Sequence, residues 1–443
     1  MKFFGEKRIR RRYRLILCFV LMIFVLLLIN NFHKKVYERK KVLRVGVFTG
    51  SYWNRYNGNS YKILNDAIAE YEKKHPDVSV EYVNGITRDN YEEWLAEKMV
   101  LGDMPDVFFV PSGDFNIFLN IGAMKNLNGF IRKDKDFSES KFYEKTLLCG
   151  KNKNSQYAIP YECSPTMMMV NETLLNQNGI MLAGKDWTWS DFYNICEKVC
   201  VRTSTSIDQY GTINYGWKDA FTSNKVKLFN KNATKCDFTG NNIYESIIFL
   251  ERLSKLPQGR VTSATDFYKG IVAFEPMLFS TYRSYKARDF GTNNYTDFEW
   301  KYTTMPAGTS GDNISRLDTL CVAMSDDTLN PDAAWDFIKV LTCSDKIQKE
   351  IFDYSEGLSP LREVTEDDDL SKYMREEYGI VLDKVIISEA MDNAEVQNRF
   401  QNQEDIEAEV GNAVNSILEA NSNIQMEQII WNRRINDYLK KLK

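Results

Sequence analysis

The chain has 443 residues, 43% of them hydrophobic and 13% aromatic, which excludes a disordered or fibrous polymer and leaves room for more than one domain. Its formal charge of −4 hides an asymmetry: residues 1–41 hold twelve Lys/Arg and two Asp/Glu, which leaves 45 basic and 59 acidic residues, a formal −14, for the rest. So acidic a body argues against nucleic acid as partner, because phosphate binding needs a basic face.

At the N-terminus, Lys7, Arg8, Arg10, Arg11, Arg12 and Arg14 precede an apolar run from Leu15 to Ile29. That run is short beside the roughly 20 residues usual for a spanning helix, but Asn30, Asn31 and Phe32 extend it to the interface. A cleaved signal needs small residues at its cleavage site, and the first alanine is Ala67; Cys18 lies inside the run, a poor fit to a lipidation site at its end. The expectation is an uncleaved single-pass signal anchor with a cytoplasmic basic tail and the body outside the cell membrane; the alternative is an atypical cleaved signal. Lys34, Lys35, Arg39, Lys40 and Lys41 on the far side weaken the charge bias that sets this orientation.

The body opens with a predicted strand, Val42 to Phe48, and the turn Thr49-Gly50-Ser51. Ile63, Leu64, Ala67, Ile68 and Tyr71 recur at helical spacing and predict a helix that stops near His75-Pro76. Val78 to Val83 alternates as a strand, Asp89 to Val100 reads as a helix stopped by Gly102, and Val107 to Val110 is a short buried strand closed by Pro111. This alternation is the grammar of a parallel sheet covered by helices on both faces. Further on, Tyr157–Pro160 and Thr166–Val170 read as two strands, while Trp189–Val201 and Ile243–Leu253 read as helices. Another helix spans Pro331–Leu341, with Asn330 as cap and Pro331 in its first turn, and the stretch from Glu376 onward is mostly helical. No repeat and no long Pro/Gly/Ser linker divides the body, so two interleaved domains are expected.

Catalytic signatures are scarce. His33 beside the apolar run and His75 in a Lys-Lys-His-Pro turn are the only histidines, and neither GxSxG nor GxGxxG occurs. Gly179-Ile180-Met181-Leu182-Ala183-Gly184-Lys185-Asp186 approaches a phosphate loop, but its last residue should be Ser or Thr and a strand should precede it. Cys196 and Cys200 share one helix face, where buried thiols are the favoured reading over a zinc half-site. No catalytic residue, metal or cofactor is expected.

Five segments together resemble the extracellular solute-binding proteins of carbohydrate ABC importers, the maltodextrin-binding type. They are Leu43-Arg44-Val45-Gly46-Val47-Phe48 with Ala69 to Val78; Gly102-Asp103-Met104-Pro105-Asp106-Val107-Phe108 with a loop reaching Asp114; Tyr157-Ala158-Ile159-Pro160-Tyr161 leading to Val170-Asn171-Glu172-Thr173-Leu174-Leu175; Trp187-Thr188-Trp189-Ser190-Asp191-Phe192; and Asp332 to Leu341 with Gly357-Leu358-Ser359-Pro360-Leu361-Arg362. Two places depart from the family's pattern. Met169-Val170 stands where members usually carry a tyrosine before the asparagine. Phe274-Glu275-Pro276-Met277-Leu278-Phe279-Ser280 replaces the usual Gly-Gly-Ser/Pro-Trp run.

The resemblance implies an α/β, two-lobed, periplasmic-binding-protein-like fold behind the N-terminal anchor helix, with the chain crossing three times between lobes near Ile159–Glu162, Thr303–Ala307 and Ile351–Glu356. The first lobe is expected over 42–160 with 306–352 and the second over 161–305 with 353–443, after a tail, anchor and linker over 1–41. It further implies a non-enzymatic receptor that closes around a small solute, an oligosaccharide by the family's habit, and delivers it to ABC permease subunits. Expected ligand-binding residues are Tyr52, Trp53 and Asn54 after the first strand, Asp114 after the third, Glu162 after the first crossing, and Tyr282 and Asp318 in the family's ligand-near regions. Trp53 has packing on its own lobe as its alternative, and Asp114 has helix capping. Acidic Asp114, Glu162 and Asp318 would also suit a cationic peptide or polyamine, and a firm anchor would suit a sensor that signals to a membrane kinase.

Overall fold

A computed structural model describes residues 40–53, 61–182, 184–200, 209–230, 234–256, 265–292, 296–396, 402–420 and 422–441, together with Met22. The expected anchor, apart from Met22, and the candidate Asn54 lie outside the described residues. Among those that are described, no helix is long and apolar enough to cross a membrane.

Strand β1 (Lys41–Gly46) runs parallel to both β2 (Val78–Tyr82) and β3 (Val107–Val110) and lies between them. The helix Lys62–Lys74 makes the first crossover because Ile63, Leu64, Ala67 and Tyr71 form one buried stripe, and Lys73 and Lys74 suit the negative end of its dipole. The helix Arg88–Val100 makes the second. A short hairpin follows, β4 (Lys151–Asn152) with β5 (Ser155–Gln156). Gly150 must be glycine there, since a Cβ would run into the backbone carbonyl of Ala158.

The largest departure from expectation is β6 (Ala158–Asn171), one buried strand of 14 residues where the sequence suggested two separate ones. The polar residues between the apolar runs stay in the sheet because they find partners inside it. Ser164 Oγ lies 3.2 Å from Ser280 Oγ, and Glu162 is held by Ser355 and Gly357. Meanwhile Glu162, Cys163 and Ser164 pair antiparallel with β10 (Leu317–Met324), across a register shift at Leu320/Cys321.

The second half of β6 takes up β8 (Val272–Leu278) on one side and β9 (Trp300–Thr303) on the other, both antiparallel, and β7 (Tyr210–Thr212) adds parallel to β8. The resulting order is β2-β1-β3-β10-β6-β8-β7, with β9 also on β6.

Strand periodicity assigns the two faces of β6 to two cores. Met167 and Met169 enter the cluster of Leu43, Phe108, Val322 and Ile338, whereas Met168 and Val170 enter the cluster of Trp187, Phe192, Phe249 and Phe274. Trp189 belongs to the second core as well, stacked on Phe249 at 4.3 Å with its indole nitrogen donating to Tyr215 Oη at 2.8 Å. Two terminal helices, Gln403–Ala420 and Ile424–Lys441, complete that core through Val410, Val414, Trp431 and Ile435. The outcome is a mixed α/β, two-lobed fold of the periplasmic-binding-protein type. One local detail differs from expectation. Pro331 opens its helix, but Asn330 makes no side-chain cap; its amide reaches the Val42 carbonyl at 3.5 Å instead.

Candidate ligand-binding cleft

A cleft of about 600 Å³ opens where the lobes face each other. One wall is supplied by Tyr52 after β1 and by Ser112 and Gly113 after β3, the carboxyl ends of two parallel strands, where open α/β sheets hold ligands. Arg316, Leu317 and Asp318 enter β10 beside Thr166 of β6. Met277 and Leu278, Trp217 and Lys218, and the helix Gln403–Ala420 through Gln403, Glu404 and Glu407 form the opposite wall.

Tyr52 and Asp318 come together at this cleft. The phenol donates to Asp318 Oδ1 at 3.1 Å and accepts from the Ser112 amide at 3.3 Å, and the Arg88 guanidinium lies 5.0 Å from its ring. Burial, reinforced by the Asp318 charge, pushes the Tyr52 hydroxyl well above its ordinary pKa, so it stays a donor. Asp318 Oδ1 is further fixed by the Thr319 amide at 2.8 Å.

Trp217 faces this group from the other lobe and was not foreseen from the sequence. It begins the helix Trp217–Ser223, half-buried, with its indole nitrogen 3.1 Å from where a Cβ on Gly411 would lie. Phe221 meets it edge-on at 5.5 Å. The two cations beside it are both neutralised: Lys218 pairs with Glu407 at 2.6 Å, and Arg316, at the entry to β10, pairs with buried Asp219 at 2.9 Å. A usable signal existed in Gly216-Trp217 at a strand-to-helix turn. The strand before it, β7, has only three residues, too few to register as periodicity.

Other candidates lie elsewhere. Asp114 sits behind Gly113 at the cleft edge, 9% exposed; it precedes the helix Phe115–Asn120 without capping it, and its Oδ2 makes no hydrogen bond. Burial and then Glu92 raise its carboxyl to about 6, Arg88 opposing. Trp53 and Glu162 meet instead at Gly357, after the helix Asp345–Tyr354. Glu162 is 2% exposed and accepts from Ser355 Oγ and the Gly357 amide, both at 2.6 Å. Burial lifts it to about 7, against the pull of its Ser355 and Gly357 donors, with Glu356 adding to the rise. The buried Trp53 indole nitrogen lacks a hydrogen bond of normal geometry, yet lies close enough to Glu162 to favour its charge slightly. Tyr282 is enclosed by Phe279, Trp300 and Tyr302, with ring centroids 4.9–5.5 Å away. Of the two departures from the family pattern, Met169 is fully buried, while the second places Met277 and Leu278 on the cleft wall. Among the described residues no three or more His, Cys, Asp or Glu are placed to hold a metal ion.

Residues 57–345 match the family model for bacterial extracellular solute-binding proteins. An uncharacterized lipoprotein from the oleD 5′ region of Streptomyces antibioticus is 22% identical over 276 residues; the match spans 57% of this chain and 57% of that relative, little more than half its length. Among solved structures, the cyclic alpha-maltosyl-1,6-maltose binding protein of Arthrobacter globiformis superposes with a TM-score of 0.75 at 13% identity, covering 91% of this chain and 100% of the other. The sugar-binding protein MalE of Xanthomonas citri gives 0.72 at 15% identity, over 90% and 98%. An ABC substrate-binding protein of Listeria monocytogenes in complex with cycloalternan gives 0.66 at 18% identity, over 90% and 99%.

Proposed function

This chain belongs to the bacterial extracellular solute-binding protein family, and from that premise we propose that it captures a saccharide between its lobes and delivers it to the permease of an ABC importer. The observation that carries the reading is the pairing of Tyr52 with Asp318 on one wall and Trp217 on the other, across a cleft of about 600 Å³. Sugar rings offer an apolar face to an aromatic ring and hydroxyls to fixed acceptors and donors, and this wall supplies both. Tyr52, Asp318 and Trp217 are the ligand contacts in this reading, with Asp114 at the edge. Trp53, Glu162 and Tyr282 act behind the site. The moving units are 42–160 with 306–352 and 161–305 with 353–443, and the cleft binds without turning its ligand over.

A thermal-shift screen against oligosaccharides, polyamines and oligopeptides tests this, since a ligand specific to the folded state raises the melting midpoint. Oligosaccharides should raise it, and their chain lengths should be unchanged after incubation. A response confined to polyamines or peptides would replace the saccharide reading, and new reducing ends above a heat-killed control would end the receptor-only one.

Location follows from the same proposal. The apolar run Leu15–Ile29 holds the receptor at the outer face of the cell membrane. Intact mass of membrane-extracted protein should include residues before Leu15; a mature chain beginning near Val36 would contradict an uncleaved anchor.

A further inference from the structure

Four pieces of chain converge on one buried joint. Ser51 and Trp53 come from the loop after β1, Glu162 from β6, and Arg283 from the helix Phe279–Thr292. Ser355, Glu356 and Gly357 follow the helix Asp345–Tyr354. Glu162 Oε1 takes both the Ser355 hydroxyl and the Gly357 amide, at 2.6 Å each. The Ser51 hydroxyl donates to Glu356 and lies 3.3 Å from Ser355 Oγ. On its other side, the Gly357 carbonyl accepts from Arg283, whose second guanidinium nitrogen reaches the Phe352 carbonyl at 2.8 Å. Gly357 itself leaves no room for a side chain: a Cβ would collide with Glu162 and come within 2.6 Å of the Trp53 indole nitrogen.

Two carboxylates therefore share this joint, Glu162 at 2% exposure and Glu356 at 0%. Tyr161 and Cys163 flank Glu162 on its own strand, Leu320 faces it across β10, Tyr354 shares a cavity of about 60 Å³ with it, and Glu350 acts on Tyr161 from the neighbouring helix. That cavity, also lined by Ser51, Tyr52 and Ser355, brings solvent-sized space to the carboxyl.

We infer that Glu162 and Glu356 form a proton-operated latch between the first and third lobe crossings, closed when Glu162 is protonated and loosened when both carboxylates are charged. Like charges buried side by side repel, and each ionised group also loses its hydration. With Glu162 raised to about 7 by burial, the latch changes state near neutral pH. If opening the joint returns Glu162 to water, where its pKa is the ordinary 4.5, linkage fixes the sign: opening becomes easier as pH rises from about 4.5 to about 7. Acid surroundings stiffen the hinge, and neutral to alkaline ones free it. This concerns the joint alone, whatever ligand the cleft takes.

Hydrogen exchange on the detergent-solubilised full chain, measured by mass spectrometry from pH 5.5 to 8.5 and corrected for intrinsic exchange, reads the latch directly. Protection of the peptide covering residues 355–358 should fall about tenfold or more over that range in the wild type. Glu162→Gln should hold it flat at the acid level. Glu356→Gln, which removes the repelling charge, should keep the transition but move its midpoint to lower pH. A flat wild-type profile, or a Glu162→Gln profile that still follows the wild type, would overturn the inference. Should Glu162→Gln fail to fold, an unmoved midpoint in Glu356→Gln overturns it equally.

Discussion

Trp217→Ala is expected to weaken binding of the saccharide by roughly tenfold to hundredfold, the 1–3 kcal/mol that stacking of a nucleic-acid base on an aromatic ring is worth as the nearest analogue. Its denaturation midpoint should stay close to the wild type, because the indole is half-buried and borders open cleft. Trp53→Ala should do the reverse. Trp53 packs edge-on against Tyr52 at 4.6 Å and turns its buried nitrogen toward Gly357, so truncation should cost about 3 kcal/mol of stability. Its effect on affinity, which passes only through Tyr52, should be smaller. Titration calorimetry and urea denaturation on both variants separate the two roles. Full affinity in Trp217→Ala would remove the second-lobe wall from the site, and an undiminished midpoint in Trp53→Ala would return that residue to the cleft.

Stability should fall as pH rises from about 5 to about 8, opposite to the usual behaviour of acidic proteins. Buried carboxyls set the direction, and Glu350, lifted to about 7 chiefly by burial, and Glu395, also raised by burial, act the same way as the three that follow. Burial raises Glu162 to about 7, Glu275 to about 7 despite the Asn214 amide at 2.7 Å, and Asp114 to about 6. A carboxyl whose folded pKa lies above its unfolded one binds its proton more tightly in the native state. The resulting stabilisation is complete below the unfolded value and is lost as pH climbs through the folded one. A shift from 4.5 to about 7 corresponds to about 3 kcal/mol for one group. Asp134 acts the other way and lower down. Burial alone would raise it, but Lys339 and Trp335 hold it at about 2, so its contribution is lost only as pH drops from about 3.8 toward 2. Maximum stability is therefore expected near pH 4–5. Urea midpoints at pH 5 and 8 check the slope, and Glu275→Gln should narrow the gap by stabilising the protein at pH 8. A midpoint that rises between pH 5 and 8 would contradict the assignment.

Much of the fold could be read from periodicity. The stripe Ile63, Leu64, Ala67, Tyr71 and the run Val107–Val110 announced their elements, because a buried face repeats at the spacing of its backbone. β6 could not be read so simply. Its middle is polar, and only long-range partners such as Ser355, Gly357 and Ser280 make it tolerable inside a sheet. The candidate site divided in the same way. Ending β1 at the cleft was a topological inference, and it located Tyr52. Which way each loop residue turns was not encoded in spacing: Tyr52 faces Asp318, while its neighbour Trp53 turns toward Gly357. Trp217 was hidden by a strand of three residues, whose pairing with β8 is set 62 residues downstream, Tyr210 opposite Val272 and Thr212 opposite Phe274.

The continuity of β6 makes insertions and deletions there unusually damaging. Both cores take alternate residues from one extended stretch, Met167 and Met169 on one face, Met168 and Val170 on the other. Adding or removing a single residue after Pro165 would exchange these faces, presenting each core with the side chains shaped for the other. The pairings to β8 and β9 would slip at the same time, while β10 upstream kept its alignment. Homologous chains should therefore keep constant length between the positions of Ala158 and Asn171, and vary in length where no strand is shared.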